Sequence, residues 1–64
     1  MEAVFNNYIN IRIGYGYTFE QAVNLFLNDV EFTEQEKQAE WVNTARNQII
    51  LNNNAAANLN GNNH

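Results

Sequence analysis

Few residues in this chain are equipped for chemistry. Glu36 and Glu40 stand four apart, a spacing that on one helix sets two carboxylates on one face and begins a site for a hard cation. No histidine or cysteine stands beside them. The plainer reading is a solvated face, so no metal is expected. The single histidine is the terminal His64, and the chain has neither serine nor cysteine. That removes Ser–His and Cys–His nucleophile pairs, disulfides and thiolate metal sites. Gly14-Tyr15-Gly16-Tyr17 offers two glycines of a phosphate-binding loop, without the third and with no clear strand before it. It reads instead as a helix-ending turn whose tyrosines cover the core. Acid–base catalysis needs a cleft that shifts a pKa, and three short helices leave little room for one. The expectation is a protein that is not an enzyme and takes no cofactor.

Charge narrows the partners. Seven acids against three cations give a net charge of −4. Phosphate contacts need Lys or Arg, and only Arg12, Lys37 and Arg46 are present, scattered along the chain. Direct nucleic-acid binding is therefore not expected. The acids concentrate between positions 29 and 40, where Asp29, Glu31, Glu34, Glu36 and Glu40 form a candidate acidic face. Glu34 and Glu36 are also explained as helix-start residues facing the positive end of the dipole.

Sixty-four residues make one small domain with a thin core. The elements that must position these groups are helical. Thr18-Phe19-Glu20-Gln21 and Thr33-Glu34-Gln35-Glu36 are capping boxes, each able to satisfy two orphan donors reciprocally. After the first cap, Phe19, Ala22, Val23, Phe26 and Leu27 recur at helical spacing and predict an amphipathic helix over 18–29. Phe32 precedes the second cap, placed to pack on the methylenes of Lys37. Ala39, Trp41, Val42, Ala45, Ile49 and Ile50 then predict one helix over 33–51, with its polar first turns projecting beyond the core. Positions 9–17 are ambiguous. Ile9, Ile11, Ile13, Tyr15 and Tyr17 alternate with polar residues and Gly as a strand would. Val4, Phe5, Tyr8, Ile9 and Ile11 fit a helical stripe, and a lone strand has no partner in so short a chain. The expectation is an all-α, three-helix unit over 3–13, 18–29 and 33–51, forming a domain over 1–51.

Residues 52–64 differ in kind. Seven of these 13 are Asn, too polar to offset the entropy of ordering. This Asn-rich tail is expected to be disordered unless a partner holds it. The opening residues lack the basic and apolar pattern of a signal peptide, and the longest apolar run is Ile49-Ile50-Leu51. No membrane contact and no secretion are expected. The expected location is the cytoplasm or the interior of a larger particle.

Tyr15-Gly16-Tyr17-Thr18-Phe19-Glu20-Gln21-Ala22 resembles the turn between the first two helices of ubiquitin-associated domains, which read Met-Gly-Phe, a cap, then Glu-Gln-Ala. Ala39-Glu40-Trp41-Val42 is similar to that family's third-helix run. Tyr15 and Tyr17 stand where the family has Met and Phe, and the third helix is longer here. The resemblance covers about 30 residues by this count. It implies a compact three-helix unit and, as one alternative function, a binding module of that type.

Eight aromatic residues and a three-residue aliphatic run are generous for a body of this size. A small helical domain with surplus apolar surface is commonly completed by a partner or by its own copies. The leading expectation is a protein–protein interaction or assembly subunit, such as a component of a larger, viral or phage-like particle. Trp41, Ile50, Leu51, Tyr15 and Tyr17 are its candidate interface, since Trp and Tyr dominate binding hot spots. The alternative is a small acidic inhibitor docking its 29–40 segment on a basic groove of a larger enzyme.

Overall fold

A computed structural model describes the backbone of residues 2–61 and the side-chain surroundings of residues 2–56. Four α-helices account for its regular structure: α1 (Glu2–Gly14), α2 (Phe19–Asn28), α3 (Glu34–Lys37) and α4 (Glu40–Gly61). The fold is all-α, with no strand among the described residues. The alternation at 9–17 resolves as helix because Phe5 and Ile9, four apart, are the residues of α1 that bury. Ile13, which a strand would have buried with Ile9, is 44% exposed, and Val4 and Ile11 of the expected helical stripe stay exposed as well, at 46% and 44%.

The turn from α1 to α2 is a Schellman ending. The Tyr17 N–H donates to the Arg12 carbonyl (3.2 Å) and the Gly16 N–H to the Ile13 carbonyl (2.9 Å). Gly16 occupies the left-handed position at φ +102°, where a Cβ would be strained. The capping box of α2 forms next. The Gln21 N–H donates to Thr18 Oγ1 (3.1 Å), and the Thr18 N–H donates to Gln21 Oε1 (2.9 Å).

The core joins Phe5 and Ile9 of α1, Ala22, Val23 and Phe26 of α2, and Val42 and Ala45 of α4. Phe26 is its hub. Its ring meets Phe5 edge-on at 4.9 Å, Tyr8 edge-on at 5.6 Å and Phe32 in a tilted pair at 4.5 Å. Of the expected α2 stripe, Ala22, Val23 and Phe26 bury and Leu27 half-buries, but Phe19 at the helix start stays 38% exposed.

The single helix expected over 33–51 is instead two. Thr33 does cap a turn: the Glu36 N–H donates to Thr33 Oγ1 (3.1 Å) and the Thr33 N–H to Glu36 Oε1 (2.8 Å). That turn stops at Lys37, and Gln38 leaves the helical region at φ −101°, ψ 8°. α4 restarts at Glu40, with the Ala39 carbonyl accepting from the Val42 and Asn43 N–H groups. No residue of α3 is buried, so a straight continuation would carry its turn into water. Phe32 lies on Phe26 and on Tyr8 (5.5 Å). The Lys37 side chain is largely covered and pairs with Glu34 at 3.8 Å. Glu36 and Glu40 fall on different helices, so the two-carboxylate face of one helix does not exist.

α4 also runs past the expected boundary at Leu51, as far as Gly61. Residues 50–56 are exposed along it. Residues 62–64 of the Asn-rich tail lie outside the described residues. Among the described residues, no helix is long and apolar enough to cross a membrane.

Candidate functional site

Trp41 is the second residue of α4, placed by the break at Gln38 and Ala39. It half-buries against the core cluster. On that side the space between it and Phe5, Phe26 and Phe32 is a slot of only about 10 Å³, closed to any ligand. Elsewhere Trp41 lines two open surface hollows. One, of about 550 Å³, runs between α1, the start of α2 and α4, and is lined by Glu2, Asn6, Phe19, Glu40, Trp41, Thr44, Ala45 and Gln48. The other, of about 470 Å³, lies over the α3–α4 break and is lined by Gln35, Glu36, Gln38, Ala39, Glu40 and Trp41. Glu40 and Trp41 belong to both. Trp41 therefore closes the core and also forms a wall of open surface. Both hollows lie open to solvent, and the break at Gln38-Ala39 sets Trp41 between them.

The electrostatics of these hollows are one-sided. Glu2, Glu36 and Glu40 contribute three carboxylates, and among the described residues no Lys or Arg is in either lining. The Thr33 backbone N–H and hydroxyl hydrogen-bond the Glu36 carboxylate system and hold it below the ordinary glutamate value. The Thr44 hydroxyl is committed to the Glu40 carbonyl at 3.0 Å. What remains for recognition is carboxylate, amide and aromatic surface. Among the described residues, no three His, Cys, Asp or Glu side chains converge as a metal site.

The five candidate interface residues fall in three places. Trp41 stands at the hollows just described. Tyr15 and Tyr17, 77% and 45% exposed, line a separate hollow of about 680 Å³ with Tyr8, Arg12, Leu25, Asn28 and Asp29. There the Arg12 guanidinium sits 4.4 Å above the Tyr8 ring, and the Tyr8 hydroxyl donates to Asp29 Oδ2 at 3.3 Å. Ile50 and Leu51 are exposed on α4 and line none of these hollows.

The acidic residues disperse as well. Asp29 caps α2 and accepts from the Glu31 N–H (2.9 Å), on the tyrosine side of the molecule. Glu34 pairs with Lys37, while Glu31 is exposed. Glu36 and Glu40 line the Trp41 surface. Sequence reasoning missed Glu2, Phe19, Thr44 and Gln48 as site residues. Phe19 fitted the core stripe, and nothing in the sequence ties position 2 to position 48.

No protein-family profile, curated protein or solved structure matches the chain.

Proposed function

We propose that this chain is a non-enzymatic protein–protein interaction or assembly subunit, bound by another protein or by copies of itself through the surface around Trp41. The observation that carries the reading is Trp41 itself. It is a large rigid aromatic fixed by the core on one side and open to two hollows on the other. Preorganised aromatics of this kind lose little entropy on binding and supply much of an interface's energy. The three carboxylates in the linings, with no Lys or Arg beside them among the described residues, favour the acidic-docking form of that reading over a purely apolar one.

The test compares the full chain with Gln48→Trp. Gln48 is exposed and lines the larger hollow, so bulk there fills the hollow while leaving the core in place. Sedimentation reads self-association, and retention on an immobilised chain reads a heterologous partner. Loss of either in Gln48→Trp at an unchanged melting temperature supports the reading. A monomer that retains nothing, or a partner equally retained by both chains, refutes it.

A further inference from the structure

We propose that the larger Trp41 hollow receives a Lys or Arg side chain from a basic segment of a partner protein, the cation lying against Trp41 between Glu2 and Glu40. This rests on the reading of the Trp41 surface as an interface and adds the chemistry of what it binds. The hollow joins an aromatic wall, Trp41 and Phe19, to two carboxylates, with no Lys or Arg among the described residues that line it. A cation over an indole face is attracted by the ring quadrupole, and indole is the strongest of the natural aromatic faces for it. A long cationic side chain also packs its aliphatic stem on apolar surface while its head stays near carboxylate and water. The volume of about 550 Å³ accommodates a side chain with its flanking backbone rather than a folded element.

A second copy of this chain is a poor donor for that cation. Arg12 is stacked on Tyr8, and Lys37 is largely covered and paired with Glu34. Arg46 alone remains exposed, on a body of net charge −4 that repels its own kind. The same net charge draws a basic partner and makes its approach dependent on ionic strength.

The experiment uses the full chain and its single tryptophan. An acetylated, amidated pentapeptide alternating leucine and arginine is titrated while Trp41 fluorescence and its indole N–H resonance are followed. The control is the same peptide with glutamine for arginine. The arginine peptide is expected to shift the Trp41 signals saturably. Its affinity should fall about tenfold in Glu2→Gln/Glu40→Gln, and also in 0.5 M salt, where the Debye length is ~4 Å. Equal response to both peptides overturns the cation claim and leaves the interaction reading standing. A Trp41 signal that moves with protein concentration alone assigns the hollow to a second copy and also overturns it. No response to the arginine peptide at millimolar concentration, with the chain folded, overturns it too; the Gln48→Trp comparison then decides separately whether the surface is an interface.

Discussion

Alanine at position 14 and alanine at position 16 should change stability in opposite directions. Gly14 is the last residue of α1, its φ is not positive, and a Cβ built there meets no atom within 4 Å. Replacing it removes backbone freedom from the unfolded chain and improves helix propensity, a gain of about 0.5–1 kcal/mol. Gly16 likewise has open space around it, so packing cannot object. Its φ of +102° does, because an L side chain there crowds its own carbonyl, a cost of about 1–2 kcal/mol. Since 1 kcal/mol moves the midpoint of a domain this size by about 4–8 °C, the two variants should melt roughly 6–24 °C apart. Circular dichroism at the helical minimum reads both melts. Two stabilising substitutions would mean that the α1 ending is not the Schellman geometry. Two destabilising ones would mean that α1 ends before Gly14. Equal midpoints would refute the whole account of the turn.

The remaining predictions follow from the caps, the core and α4. Thr33→Ala should cost about 1 kcal/mol in a melt, since it removes the acceptor for the Glu36 N–H; no measurable change would place the start of α3 elsewhere. Glu36 titrates below its ordinary value when folded, so its contribution is complete above the unfolded pKa and is lost as pH falls through the folded one. Glu36→Gln removes that titration, and should therefore flatten the acid limb of the stability curve by lowering neutral-pH stability toward its acid value; an unaltered acid limb counts against the Thr33 pairing. Phe26→Ala should cost about 3–5 kcal/mol and unfold most of the chain, whereas Trp41→Ala, half-buried, should cost about half that and leave a helical spectrum. The reverse order would make Trp41 the hub of the core. Deleting 54–64 should leave the melting temperature within a degree or so, because the exposed stretch ahead of it is already free of the core; a drop of several degrees would mean that the end of α4 supports the core.

The local rules read directly from the sequence were those in which a residue satisfies its own neighbourhood. Thr18 with Gln21 and Thr33 with Glu36 formed their boxes because both partners lie within one turn of chain. Gly16 ended α1 because only glycine tolerates that φ, and Ala22, Val23 and Phe26 buried because a period of 3.6 collects them on one side. Tertiary structure decided what those rules leave open. Nothing at Gln38-Ala39 is a helix breaker, with neither Gly nor Pro present, yet the helix breaks there. In the broken arrangement Phe32 lies on Phe26 and Tyr8, at 4.5 and 5.5 Å between ring centroids. The same break separates Glu36 from Glu40 and carries Trp41 to the edge of the core. The Trp41 hollow itself draws on positions 2, 19, 40, 41 and 48. Periodicity tells each helix which face to hide, but a hollow is the gap left between faces of different helices. Its residues are joined by packing geometry, to which spacing along the chain gives no access.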